Sequence, residues 1–409
     1  MLKTLGLGVL FASGVGVACG CASALFLWLL DRATQLREAH TLLIVALPLA
    51  GLAIGWLYQR FGEPIRGGNN LVIDTMHDHG PQLPLRMAPM VLLGTVLTHL
   101  FGGSAGREGT AVQMGAALAD TFAHRLAPEL RRQLLAAGVA GGFGSVFGTP
   151  IAGAIFGLEF VTLGRIEYRA LVPCLVAALV GDLTTRAWGI AHTHYPAPGL
   201  LPLNVWLLGK WVLFAIAVAA VSVLFIELTH ALKRLGERTL PNLPARMFAG
   251  GALVVVMWVA LGTDDYLGLG VPVIERAFVE PVPSHAFLAK LVFTAVTLGA
   301  GFLGGEVTPL FFVGATLGAT LAPWLSLPQD LAAGVGMAAV FAAAANTPLA
   351  LSVMAVELLG GNLFPHVMIV CVIAYVLGGP RGIYPSQRLV HEKVGAELAT
   401  PTRLRDHVT

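Results

Sequence analysis

The same device occurs twice in this sequence. GSAGREGTAVQMGAALA, ending at Ala119, and LGGEVTPLFFVGATLGA, ending at Ala319, each pass from a Gly-rich break and a carboxylate into an apolar helical pattern. Setting Gly115 on Gly314, an offset of 199 (314 − 115), places Gly106 on Gly305, Arg107 on Glu306, Glu108 on Val307, Thr110 on Pro309 and Leu118 on Leu317. A second pair follows, in which Thr149, Pro150 and Glu159 match Thr347, Pro348 and Glu357 at an offset of 198 (347 − 149). Either match alone is weak among Gly/Ala-rich helices. Two matches in the same order at nearly the same offset indicate a duplicated chain, with halves at 1–200 and 201–385 joined near Leu200–Trp211 and a short tail at 386–409.

Composition decides the solvent. Hydrophobic residues make up 56% and charged residues 12% of the 409, and the mean hydropathy is +0.77, so most of the chain must be solvated by lipid or by itself. Apolar runs cover 4–30, 41–58, 88–101, 110–123, 133–162, 169–186, 202–232, 247–262, 286–301, 308–324, 331–358 and 363–378. Crossing a hydrocarbon core of about 30 Å takes about 20 helical residues, so several runs are too short. The runs 133–162 and 331–358 fit only if tilted or broken. Broken backbone at membrane depth is tolerated where it is packed in protein or lines a polar cavity. The expected fold is therefore an all-α polytopic membrane protein with broken, re-entrant helices, of the kind found in transporters and channels.

The net charge of +2 is uninformative, but the positions of the basic residues are not. Arg60, Arg66, Arg125, Arg131, Arg132, Lys233, Arg234, Arg238, Arg246 and the Arg/Lys residues after Arg381 fall in polar connections, whereas 192–198 and 264–266 have almost none. The positive-inside rule puts the first group and both termini in the cytoplasm. The run 4–30 is too long for a signal h-region and lacks a cleavage pattern, so it reads as a retained helix. Cys19, Cys21, Cys174 and Cys371 lie in apolar runs and read as packing residues. His192 and His194 lack a third ligand, and no metal, cofactor, nucleotide fold or nucleic-acid partner is indicated.

Duplicated halves with broken helices suit an inverted-repeat transporter, in which half-helix N-termini meet an anion near the midplane. Such a terminus offers free N–H groups and partial positive charge without a full cation. An acid there, such as Glu108, occupies the anion site when ionised and swings away when it carries a proton. The competing reading is a carboxylate that caps its own helix or pairs with Arg107.

GSAGREGT resembles the GREG-type signature of the CLC chloride channels and transporters, and GGEVTP occupies the place of their GxFxP motif. GGPRGIYPSQR carries Tyr384 where that family places its central, ion-contacting tyrosine. The similarity runs from about Gly67 to Tyr384. It implies a CLC-type inverted-repeat bundle assembled as a homodimer, each subunit with its own anion pathway. Three departures, Gly67-Gly68-Asn69-Asn70-Leu71 in place of GSGIP, GREGT and GGEVTP, resemble the CLC-type fluoride/proton antiporters.

That resemblance assigns Glu108 as gate and proton carrier and Glu306 as the second acid, whose alternative role is to cap its re-entrant helix. The anion would lie between the helix starts, near the backbone of Gly106, Arg107, Gly109 and Val307, the hydroxyls of Thr308 and Tyr384, and Asn69 or Asn70. The local register leaves both asparagines open. Thr110 is a further hydroxyl donor or an ordinary cap. Phe311 and Phe312 line the path by their ring edges or fill the core. Glu159 and Glu357, matched by the repeat, read as structural caps or packing groups. The expected function is fluoride export in exchange for protons across a bacterial-type inner membrane, with no cofactor and no enzymatic activity. The alternatives are a chloride-selective CLC exchanger or channel, a membrane-embedded enzyme using Glu108 and Glu306, and a non-transporting scaffold.

Overall fold

The two Thr-Pro motifs break the two long apolar runs. In a computed structural model describing residues 2–78, 80–199, 201–391, 393 and 397–407, one helix ends at Phe147 and the next begins at Pro150. The turn between them has Gly148 in the left-handed region, at φ 74°. In the second half the break falls between Ala345 and Pro348, and Asn346 takes the same conformation at φ 60°. Proline suits the first helical turn because its missing N–H has no partner there. Leu200, at the expected join, and residues 392, 394–396, 408 and 409 of the expected tail lie outside the described residues.

The first eight helices are α1 (Leu2–Ala39), α2 (Leu47–Phe61), α3 (Asn69–Asp78), α4 (Met87–Leu100), α5 (Glu108–Ala123), α6 (Pro128–Phe147), α7 (Pro150–Glu159) and α8 (Leu171–Ala187). The next eight are α9 (Val205–Thr239), α10 (Leu243–Leu261), α11 (Val271–Val279), α12 (Ala286–Ala300), α13 (Val307–Leu325), α14 (Gln329–Ala345), α15 (Pro348–Leu359) and α16 (Phe364–Leu377), and a single turn, α17 (Leu404–His407), follows. Among the described residues, six helical segments are long and apolar enough to cross a membrane, including Gly6–Ala39, Val205–Thr239 and Val307–Leu325. Most of the remainder are shorter, so the fold is the polytopic all-α type with broken helices. Two helices escape the hydropathy pattern: α3 is largely polar, and α11 begins at Val271, inside the GLGVP segment that reads as a loop.

Each half packs its buried helix pair through glycine. A Cβ at Gly115 of α5 would collide with the Gly138 carbonyl of α6, and one at Gly314 of α13 with the Gly336 carbonyl of α14. Small residues let membrane helices approach closely where packing, rather than hydrophobicity, drives association. Glycines at the matched positions 115 and 314 therefore place α5 and the N-terminal part of α13 deep in the protein, most of their residues buried.

The Thr-Pro helices cap each other. The Glu159 carboxylate at the end of α7 accepts from Leu349 N at 3.1 Å and Ala350 N at 2.9 Å, in the first turn of α15. Glu357 in the last turn of α15 accepts from Ile151 N at 3.0 Å and Ala152 N at 2.7 Å, in the first turn of α7. Both acids thus satisfy N–H groups left open at a helix start and sit at its positive end. Cys19, Cys174 and Cys371 are buried free thiols within helices, and Cys21 is half-buried.

The chain after Tyr384 folds back onto the helices. Gln387 donates to Phe160 O and Ala345 O, both at 2.9 Å, and Asn346 Nδ2 donates to the Gln387 amide oxygen at 3.2 Å. A small sheet, absent from the all-helical expectation, forms here. Its strand β1 (Thr162–Leu163) lies parallel to β2 (Arg388–His391), which pairs antiparallel with β3 (Glu397–Arg403). Arg388 and Arg403 reach Asp78 of α3, and Arg403 also lies 3.1 Å from Asp74. Hydropathy is blind to this sheet, because edge pairing and four ionic partners hold it.

Replacing either capping acid by Ala would strand two helix-start N–H groups, at about 1–3 kcal/mol for a buried group. Glu159 is the more buried, so Glu159→Ala should lower the unfolding temperature in detergent more than Glu357→Ala, and Gln at either position should be milder. Equal, wild-type melting of all four variants would contradict the cap assignment.

Candidate functional site

The two Gly-rich breaks meet face to face. Gly106 N donates to Gly305 O at 2.6 Å and Gly305 N to Gly106 O at 2.8 Å, an antiparallel bridge between residues the duplication matches. A side chain at Gly106 would stand 2.9 Å from Gly305 O, and one at Gly305 would stand 2.6 Å from Gly109 N. Only glycine allows this approach. The bridge aims the starts of α5 and α13 at one small region.

Glu108 fills that region. It is fully buried, and its carboxylate accepts from the Thr308 hydroxyl, from Thr308 N at 3.3 Å and from Arg107 N at 3.0 Å. Arg107 Nε lies 3.5 Å from its Oε1. The first residue of α5 is therefore bound across to the first turn of α13, the helix of the other half. A cap of its own helix would instead accept from amides further along α5, and none does so among the described hydrogen bonds. Arg107, whose Nη2 lies 3.5 Å from the Thr193 hydroxyl, is the neighbouring cation.

Glu306, the residue before α13, is matched to Arg107 by the repeat, and its Oε2 is buried with no hydrogen-bond partner. That oxygen and the Asn69 amide both border Gly109: a Cβ there would stand 3.1 Å from Asn69 Nδ2 and 3.6 Å from Glu306 Oε2. The structure separates the two asparagines. Asn69, at the start of α3, is buried beside Gly109, whereas the Asn70 side-chain oxygen accepts from Ser386 N at 3.0 Å. Val307 is buried at the start of α13. Tyr384 is buried within electrostatic reach of both Glu108 and Glu306, its ring edge-on to Phe160 at 4.9 Å.

Thr110 shares a 2.7 Å hydroxyl contact with Thr95 of α4, which ties α5 to α4. Phe311 packs against Phe147 and Phe341, while Phe312 faces Tyr266 and the Lys290 ammonium. Both phenylalanines are core residues. His192 lies 3.2 Å from Asp182. Several residues that frame the site carry no sequence signal: Thr95 and His99 of α4, Asn346, Ser386 and Gln387 act through backbone geometry that only the folded chain defines.

A cavity of about 450 Å³ opens on the same region. Asn70, Thr229, His230, Lys233, Arg234 and Glu306 line it, and Leu404 and Arg405 of the tail form part of its wall. The lining sets Lys233, Arg234, Arg381 and Arg405 against Glu227, Glu237 and Glu306, with Arg381 paired to Glu227 at 3.0 Å, so charges of both signs surround Glu306.

Thr308→Val keeps the volume but removes the hydroxyl, a hydrogen bond to a charged group of about 1.5–3 kcal/mol. A crystal structure of that variant should show the Glu108 carboxylate displaced from the start of α13, whereas Thr308→Ser should leave it docked. An unmoved Glu108 in Thr308→Val would show that the hydroxyl does not hold it.

The sequence model of the family described as voltage gated chloride channel matches residues 50–379. The "Chloride/fluoride channel protein" of Pseudomonas syringae pv. tomato is 50% identical over 400 residues, covering 96% of this chain and 88% of its own. A voltage-gated ClC-type chloride channel, ClcB of Citrobacter koseri, is 27% identical over 371 residues, covering 85% of this chain and 86% of its own. Among solved structures, that of a CLC-type fluoride/proton antiporter superposes with a TM-score of 0.91 at 36% identity, covering 95% of this chain and 98% of that one. With the family match spanning most of its length and a half-identical relative along nearly all of it, the chain belongs to the voltage gated chloride channel family, the CLC proteins.

Proposed function

We propose that this chain is a fluoride/proton antiporter that exports fluoride across a bacterial-type inner membrane. The observation that carries the reading is the docked Glu108 carboxylate, which accepts, between the starts of α5 and α13, the hydrogen bonds that an anion would accept. Ionised, Glu108 fills the anion site and closes it. Protonated, it loses its attraction for the helix start and for Arg107, and a fluoride takes its place. Anion and proton then occupy one site in alternation, which couples their movements. The names of the 50% identical relative and of the superposable antiporter point to the same class of ions.

Glu306 serves as the second acid, its Oε2 unpartnered near Gly109 and its side chain part of the cavity lining. Fluoride is small and strongly hydrated, so the site must return strong donors. The Asn69 amide, the Thr308 and Tyr384 hydroxyls and the amides of Arg107, Gly109 and Val307 supply them, while the Gly106 amide, given to Gly305 O, holds the frame around the ion. Asn70, whose oxygen is engaged by Ser386, supports the wall rather than the ion. The halves 1–200 and 201–385 form the inverted repeat, the termini and the tail lie in the cytoplasm, and two copies assemble as a homodimer in which each has its own pathway.

The test is reconstitution in liposomes with simultaneous recording of fluoride efflux, chloride efflux and proton uptake. Fluoride should leave faster than chloride and draw protons inward. Chloride efflux as fast as fluoride would assign the chain to the chloride branch, and fluoride efflux without proton movement would make it a channel. Glu108→Gln should reduce proton uptake to the level of empty liposomes.

A further inference from the structure

His99 stands on the last turn of α4 and is 1% exposed. Its Nδ1 lies 2.8 Å from Thr95 O and its Nε2 lies 2.9 Å from Ala105 O. A carbonyl oxygen only accepts, so each contact is a hydrogen bond only when that ring nitrogen carries a proton. A neutral imidazole has one N–H and would turn a lone pair toward one of the two carbonyls. Imidazolium alone satisfies both.

We infer that His99 is held as a buried imidazolium and is a positioning residue for the gate, fixing the Ala105 carbonyl. This rests on the gate reading of Glu108. Ala105 is the residue before Gly106, whose amide and carbonyl form the bridge to Gly305, and Glu108 follows three positions on. Neutral groups hold the rest of the turn: Gly103 N donates to Thr98 O at 2.8 Å, Ser104 N to the Thr297 hydroxyl at 3.2 Å, and the Ser104 and Thr294 hydroxyls share a 2.9 Å contact. His99 is the one ionisable group bonded to this turn among the described residues. The repeat places Leu298 at the matched position, an offset of 199 (298 − 99), so only the half bearing the gate acid has this cation.

The charged groups around the ring oppose its charge. Lys290 of α12 and Arg37 of α1 are the nearby cations, with Glu38 and Asp264 beyond Arg37 and Glu108 past the Gly106 turn. Lys290 is spent on Tyr266 O and Gly268 O, at 3.1 and 2.6 Å, and Arg37 Nη2 on Glu38 at 3.3 Å. Burial and the two positive neighbours work against the His99 proton, and the two carbonyls are what favours it. Such a proton is lost as pH rises, and its loss leaves one carbonyl facing a lone pair. Full coupling is present while the ring is charged and fails above that range.

Protein labelled with 15N-histidine and 1-13C-alanine in lipid nanodiscs gives the test. The His99 ring is identified without mutation by its through-space contact to the Ala105 carbonyl, and the 15N shifts report its protonation. Two protonated ring nitrogens near pH 6 are expected; one unprotonated nitrogen there would overturn the inference. In liposomes, His99→Gln, which carries no ionisable group, should leak fluoride without protons and lose the wild-type fall in coupling at alkaline pH. A wild-type pH profile and proton-to-fluoride ratio in His99→Gln would also overturn it. Wild-type protein that moves no protons would refute the antiport reading, and the spectrum would still decide the state of His99.

Discussion

Two hydrogen bonds between Gly106 and Gly305 join the halves of this molecule where each helix is broken. Gly106 and Gly305 stand just before the helices they lead into, and unpaired backbone in a membrane is costly. Pairing the breaks with each other removes the cost and brings two helix starts together. Everything placed there follows: Glu108 spans from α5 to α13, Asn69 and Glu306 converge beside Gly109, and Tyr384 approaches from the chain end. Any side chain at either glycine would force the bridge apart.

The same logic recurs at the Thr-Pro breaks with different chemistry. There the open N–H groups of α7 and α15 are satisfied reciprocally by Glu357 and Glu159, each from the far end of the other helix. Symmetric acids do symmetric, structural work. At the Gly breaks the acids are displaced by one position, Glu108 against Val307 and Glu306 against Arg107, so one is saturated with donors and the other retains a bare oxygen. That inequality leaves the two acids in different surroundings, and His99, with Leu298 at the matched position, is a second difference between the two breaks.

Much of this was legible in the chain. The offsets of 199 and 198, the apolar runs and the acid at a helix start are local features, and the helices α5, α6, α7, α13, α14 and α15 stand where those features place them. Gly115 and Gly314, the residues on which the copies align, proved to be points of close helix approach. The misses have a common cause. Helix α3 is too polar and α11 too short for hydropathy, and the small sheet is held by edge pairing and by Arg388 and Arg403 on Asp74 and Asp78.

By itself, then, the sequence determined the solvent, the duplication, the breaks and which acids stand at helix starts, because composition and spacing along the chain encode these directly. Only the tertiary structure decided which atoms those acids face. Thr308 lies 200 residues from Glu108, and Ser386 lies 316 residues from Asn70. Asn69 differs from Asn70 by one step along α3, yet that step turns one amide to Gly109 and the other to the tail. Hydrogen bonds depend on tenths of an ångström and on direction, and no pattern of residue types carries that information.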